Sequence, residues 1–436
     1  MTSTPRREFL KQAAVGAASA AAVFPNSIRA AGANEKIVLG MIGPGGHGMG
    51  LLRSFAAQPD TEIAWVCDPD ANRQAAAVQA VATATGRTPR SDRDLRRVLE
   101  DRSVDAVIIA TPDHWHAPAT ILACEAGKHV YVEKPCSHNI REGRLMVEAA
   151  RRCRRVVQVG TQSRSAEVVR RAIQLLRDGA IGDVLVAKAW NSQLRRSIGK
   201  VPPSNPPPEL DFDLWLGPAP VGPYQANLLP GIWRWRYAFG TGDIGNDGVH
   251  DIDIARWGLG VDSHPTRIAA LGGKYFFDDD QEFPDTQYVV FEYGGADRRG
   301  RQLVYEQRIW SPYVQEGHEN GNAFYGTQGM LLLGKGTGWQ LFGVRNQLKD
   351  QAKGGLDGMA HHRDFLDCIK SGGRTNADIE VGHLSATLSH LGNIATRVGR
   401  VLRFDPQTEV IVGDEEANRL VRRVYRAGHW AVPKGV

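Results

Sequence analysis

The chain has 436 residues, 42% hydrophobic and 23% charged, with a formal charge of +5. This length exceeds one small core and suits two domains, and the composition is that of a globular protein. Residues 1–33 hold Arg6, Arg7, Lys11 and Arg29 against Glu8, so the remainder is nearly neutral and gives no reason to invoke nucleic acid. The five cysteines (Cys67, Cys124, Cys136, Cys153, Cys368) are widely separated, with no C-x-x-C spacing. That argues against a disulfide framework or a zinc site and reads as buried thiols.

Residues 1–33 read as a targeting segment outside the fold. Arg6-Arg7-Glu8-Phe9-Leu10-Lys11 is a twin-arginine pattern with Pro5 where Ser or Thr is usual. The Ala-rich stretch Ala13 to Phe24 is too short for a stable membrane anchor. Ala30 to Ala33 offers a cleavage site. Export by this route to the periplasm is expected, since it suits a protein that folds around a cofactor before it crosses.

Val38 to Ile42 is an apolar run that breaks into Gly43-Pro44-Gly45-Gly46-His47-Gly48, a G-x-G-x-x-G. The expected form is a buried strand, a tight turn and a helix N-terminus whose free N–H groups suit a pyrophosphate. A second apolar run, Glu62 to Cys67, delivers Asp68 where a dinucleotide-binding unit places the acid that holds the ribose hydroxyls. Asp68 favours NAD, because a carboxylate repels a 2′-phosphate; Arg73 leaves NADP open.

Helices are predicted over Asn72 to Thr85, Asp92 to Glu100, Ala117 to Ala126 and Asn139 to Arg152, and strands over Val104 to Ala110, Lys128 to Val132 and Val156 to Gly160. Ala110 to His116 reads as a loop at the carboxyl edge of the sheet, where Asp113 and His116 face the ligand. Strands that alternate with helices imply a parallel sheet covered on both faces, a Rossmann unit over 35–160. A second α/β unit is assigned to 161–400, with a helix over Ser165 to Arg177 and a strand over Val184 to Asn191. Further strands are expected over Pro265 to Gly273, Gln287 to Tyr293 and Gln302 to Trp310. Helices over His361 to Ser371 and Val381 to Val398 are expected to pack back on the first unit, and a tail, 401–436, to wrap the body.

The stretch 192–240 is rich in proline and aromatic residues, and a connection this long is usually functional. Trp233, Trp235 and Tyr237 lie beside Arg234 and Arg236 and suit a sugar ring, although such rings also serve to pin a loop.

The glycine-rich turn, the T-P-x-x-x-H of Thr111 to His116 and the G-K-H-V-x-x-E-K-P of Gly127 to Pro135 together resemble the glucose–fructose oxidoreductase/inositol dehydrogenase/MocA family. Gly242 to Asp253, with His250, is similar to that family's histidine motif. The resemblance implies a Rossmann domain followed by a domain with a large open, mostly antiparallel sheet, a site between them, and a homodimer or homotetramer through that sheet. It also implies that NAD, or NADP, meets Gly43, Gly45, Gly46, His47 and Gly48, then Asp68 and Arg73, and finally Thr111, Pro112, His116, Glu133 and Lys134.

Hydride transfer from an alcohol carbon needs a base for the hydroxyl proton and a cation for the developing oxyanion. Lys134 fits the cation and His250 the base. Four residues before this histidine the family usually has aspartate; this chain has Asn246, while Asp247 points elsewhere if the segment is helical. Asp253 matches a family acidic position and either orients His250 or caps locally. Arg164, Trp233, Trp235, Tyr237, Asp247 and His250 are expected on the substrate side, with Gln162 near the cleft. His361-His362 lacks a carboxylate-rich partner, and no metal is predicted. The expected activity is NAD(P)-dependent oxidation at a ring hydroxyl of a sugar, with the cofactor tightly bound and recycled, since the periplasm offers no evident pool of free NAD. The alternatives are a glycosidase working by oxidation, elimination and reduction, and a non-catalytic sugar- or nucleotide-binding protein.

Overall fold

The structure is a computed structural model in which residues 36–294 and 300–436 are described. The targeting segment read over 1–33 lies outside the described residues. The first sheet contains β1 (Ile37–Ile42), β2 (Thr61–Cys67), β3 (Arg90–Asp92), β4 (Ala106–Ile109), β5 (His129–Val132) and β6 (Val157–Val159). Its strands are all parallel, in the order β3-β2-β1-β4-β5-β6. The four residues of β4 are all buried, as expected of a strand covered on both faces.

Helices α1 (His47–Ala56), α2 (Ala71–Thr85), α3 (Leu95–Glu100), α4 (Asp113–Glu125) and α5 (Ile140–Cys153) cover this sheet. Asp70 caps α2 by accepting from the Asn72 and Arg73 amides at 2.9 and 3.2 Å, and Gly86 ends it at φ 71°. One expectation is corrected: the loop after β4 stops at Pro112. Asp113 opens α4 and places its carboxylate in the first turn, where the helix dipole favours it. His114 and His116 are therefore buried helical side chains.

The second sheet has ten strands. β7 (Val184–Asn191) leads into it after α6 (Glu167–Arg177), and the short pair β8 (Pro203–Ser204) and β9 (Tyr224–Gln225), with α7 (Phe212–Leu216) between, interrupts the long insertion. After α8 (Val249–Leu259) come β10 (Arg267–Gly273), β11 (Thr286–Tyr293), β12 (Arg301–Arg308), β13 (Asn320–Gly326), β14 (Met330–Gly334), β15 (Gly338–Phe342) and β16 (Leu348–Lys353). Then follow α9 (Gly358–Ser371), α10 (Ile379–Val398), β17 (Leu402–Asp405), β18 (Val410–Ile411) and α11 (Glu415–Leu420). The order is β16-β15-β14-β13-β7-β12-β11-β10-β17-β18, antiparallel except where β7 meets β12.

Two helices tie the sheets together. Phe365 and Leu366 of α9 pack in one core with Leu39, Met41 and Tyr131. Along α10, Ile379 and Ala386 join Val157 and Val159, whereas Leu388 and Leu391 join the core beneath the second sheet. One helix buried in two cores fixes the cleft between them. Among the described residues, no helix is long and apolar enough to cross a membrane.

Candidate active site

A cavity of about 500 Å³ opens at the carboxyl ends of β1, β2, β4 and β5 and is closed on its other side by the second unit. The turn after β1 supplies Gly43, Gly45, Gly46 and His47. Gly43 has φ 80°, and a Cβ there would lie 2.8 Å from the Thr111 amide nitrogen. Gly48 does not line the cavity; a Cβ on it would strike the Gly43 carbonyl oxygen, so its role is the close approach of α1 to the turn. No side chain caps α1; the Gly48 and Met49 amides are held by the Gly45 and Gly46 carbonyl oxygens at 2.9 and 3.2 Å, and the positive end of the helix dipole lies at the turn that lines the cavity.

Asp68 at the end of β2 is buried, and the hydrogen bond it is seen to accept comes from the Asp70 amide at 2.9 Å. Burial pushes its carboxyl up to about 6. A buried carboxylate, with cavity space before it, is a suitable acceptor for a pair of ribose hydroxyls. Arg73 lines the same region and pairs with Asp70 at 3.6 Å. The glycine turn, the uncapped helix and Asp68 thus fit a dinucleotide.

At the far end of the cavity stand Thr111, Pro112, His116, Glu133 and Lys134. His116 braces two loops, with Nδ1 2.6 Å from the Pro135 carbonyl oxygen and Nε2 2.9 Å from that of Thr111. Glu133 is buried, but hydrogen bonding to His47 at 3.2 Å and the charges of His47 and Lys134 outweigh that burial and hold its carboxyl at about 2. Gln162 donates to the same carboxylate at 3.2 Å. His47 is raised in return, chiefly by its hydrogen bond to Glu133.

Lys134 reaches across to the second unit. Its Nζ donates to the Asn246 backbone oxygen at 2.8 Å and lies 3.3 Å from Asn246 Oδ1. The Asn246 amide nitrogen donates to Asp243 at 3.1 Å, and Arg195 bridges Asp243 and Asp247. Ile244–Gly248 is a π-helical turn running into α8. Asn246, Asp247 and His250 all line the cavity, so Asp247 stands on the expected substrate side and does not point elsewhere. His250 is held well below the ordinary imidazole range, first by burial and then by the ammonium groups of Lys134 and Lys335, with Asp247 and Glu133 pulling the other way. The same burial and ammonium charges weaken His250 as a base, so its place in the cavity beside Lys134, and not its basicity, is what nominates it.

Several expected substrate contacts lie elsewhere. Arg164 is buried against Asp253, with nitrogen–oxygen distances of 2.8 and 2.9 Å. Asp253 also accepts from Ser385 at 2.6 Å, so it orients a buried arginine and not His250. Trp235 packs with Phe277 and Ile309. Tyr237 packs against Phe283, with the Arg397 guanidinium 4.3 Å above its ring. Of the three rings, Trp233 alone lines the cavity, beside Arg234.

Trp215, one of the aromatic residues of the 192–240 stretch, also lines it, as does Trp430, which no local motif marks as a site residue and whose placement rests on contacts distant in sequence. The pairing of Arg195 with Asp243 is hidden for the same reason, although Asp243 sits inside the histidine motif.

Among the described residues, His264, His383 and Glu409 place ligand atoms within 4.8 Å of one another. One Glu409 oxygen already meets both rings, at 2.8 and 2.7 Å, and the Arg144 guanidinium at 2.7 Å. That donor set suits an ion-pair hub better than a cation. His361 is held by the Val159 carbonyl oxygen and Ser165, and His362 Nδ1 by Ser54.

Residues 37–161 match the NAD-binding Rossmann-fold domain of the GFO_IDH_MocA oxidoreductase family, and residues 188–280 and 337–432 match its C-terminal alpha/beta domain. The chain belongs to this family. Among its relatives, a glycosyl hydrolase family 109 protein of Saccharopolyspora erythraea is 33% identical over 172 residues, 38% of this chain and 37% of that protein. A levoglucosan dehydrogenase of Pseudarthrobacter phenanthrenivorans is 29% identical over 171 residues, 39% of this chain and 37% of that protein. These alignments span little more than a third of either relative. A solved levoglucosan dehydrogenase in complex with NADH and levoglucosan shares the fold, with a TM-score of 0.65 at 19% identity, over 85% of this chain and 99% of that one.

Proposed function

We propose that the protein is an NAD-dependent oxidoreductase acting at a ring hydroxyl of a sugar or sugar derivative. The observation that carries this is a single cavity with the glycine turn and Asp68 at one end and Lys134 with His250 at the other. When bound, the nicotinamide supplies the hydride acceptor. The turn, the α1 N-terminus and Asp68 hold the dinucleotide, with Arg73 leaving NADP open. His250 takes the hydroxyl proton, Lys134 steadies the oxygen, Asn246 positions Lys134, and Trp233 and Arg234 bound the sugar.

The test is to purify the protein without added nucleotide, denature it and identify what is released. Stoichiometric NAD supports a retained, internally recycled cofactor; a protein that is empty and binds neither NAD nor NADP refutes the reading. Lys134→Ala is expected to lower turnover about a hundredfold or more, the scale of a lost oxyanion-stabilising group. Wild-type turnover in that variant sinks the catalytic assignment.

A second reading, glycoside cleavage through transient oxidation of the ring, is favoured by the glycosyl hydrolase relative. Release of aglycone without net reduction of added NAD distinguishes it. Two further proposals accompany the first. Arg6-Arg7 and the apolar stretch after them support export to the periplasm by the twin-arginine route, tested by fusing residues 1–33 to a reporter. The exposed Leu271, Tyr288, Tyr325 and Leu348 on the large sheet support a homodimer or homotetramer, tested by sedimentation.

A further inference from the structure

We propose that Trp430 forms the wall of the adenine end of the cavity, and that the segment around it retains the dinucleotide. This rests on the cavity holding NAD, as argued above. The strand order places the ends of the cavity. Asp68 follows β2, and Leu95 opens the helix after β3, at one edge of the sheet; Lys134 follows β5, on the other side of β1 and β4. Trp430 belongs to the Asp68 end. The Arg96 guanidinium of the helix after β3 lies 4.4 Å from the centre of its ring and sets it at that end, while Trp115 of α4 and the neighbouring His429 pack against it at 5.8 and 5.1 Å. The indole is half-buried and lines the same cavity as Asp68 and Leu95.

The segment carrying this ring is fastened on several sides. Arg423 makes a buried ion pair with Glu142 of α5 at 2.7 Å and donates to the His114 carbonyl oxygen of α4 at 2.8 Å. Arg426 pairs with Asp213 of the insertion at 2.7 Å. Further on, Arg141 donates to the Gly435 carbonyl oxygen at 2.9 Å, and Ala431 is 2% exposed. The segment therefore bridges the first unit and the insertion beside the cavity, with an aromatic ring held at the adenine end by contacts that no cofactor is needed to make. A flat, pre-positioned indole is a suitable partner for a purine.

The experiment uses the full chain stripped of nucleotide, titrated calorimetrically with ADP-ribose and separately with nicotinamide mononucleotide. Trp430→Ala is expected to weaken ADP-ribose about tenfold, the scale of a lost base–aromatic contact. Nicotinamide mononucleotide should bind unchanged, and Trp430→Phe should restore most of the loss. An unaltered affinity for ADP-ribose overturns the proposal, as does an equal loss for both ligands, which marks general damage. Wild-type protein that binds neither ligand overturns the reading of the cavity itself. Should the alanine variant not fold, hydrogen exchange in the wild type decides: ADP-ribose must protect the amides of residues 428–432 while nicotinamide mononucleotide does not, and no protection overturns the proposal.

Discussion

Asn246 makes two contacts that an aspartate in its place could not make together. Its oxygen faces the Lys134 ammonium while its nitrogen donates to Asp243. Asn246→Asp sets a carboxylate against the buried Asp243, a like-charge pair that resists ionisation. The expected outcome is a lower melting temperature, a cost of about 1–3 kcal/mol, and a fall in turnover, both measured at neutral pH. Asp68 makes a second prediction. Its carboxyl titrates in the fold at about 6, above the ordinary value of 3.8, so the group favours the fold most below the unfolded value and loses that contribution as pH rises through 6. Ribose hydroxyls donate to the ionised form, so NAD affinity should fall as pH drops through about 6, and Asp68→Asn should bind NAD weakly with no such dependence. The lysine, the acid and the glycines are legible as site candidates because each belongs to a short motif with its own chemistry. Arg164 misleads, because position at a strand end does not disclose a buried partner such as Asp253.

Elements show the same division between local and distant information. Helix caps at Asp70 and Asn139 and the run of β4 follow from neighbouring residues. The π-helical turn before α8 does not, and it carries Asn246 and Asp247, both of which line the cavity. Strand β16 escapes a reading by periodicity because it is a polar edge: LKDQAK is exposed along almost its whole length, with no apolar alternation to mark it. At the first turn, Gly48→Ala forces α1 away from the Gly43 carbonyl oxygen. Overpacking of this kind costs about 1–3 kcal/mol, read by denaturant unfolding, and cofactor affinity should fall with it.

Across the whole molecule, the units are joined by polar hubs as well as by the two-core helix. Glu409 meets Arg144 of α5, His383 of α10 and His264, and so ties the first unit to the second. The two-sheet plan is legible from the alternation of strands and helices and from the family resemblance. The order of the large sheet is not, since pairing depends on which distant strands meet. Its centre is occupied by β7, which is made early but whose neighbours, β12 and β13, lie at residues 301–308 and 320–326. On the ribosome, then, the middle strand is synthesised first and waits, both edges bare, for partners encoded more than a hundred residues later. A chain stopped at residue 300 should collect in the insoluble fraction, whereas one stopped before Val184 should not carry that hazard. The central strand therefore gains its first partner only after the outer pair β10–β11 has been made.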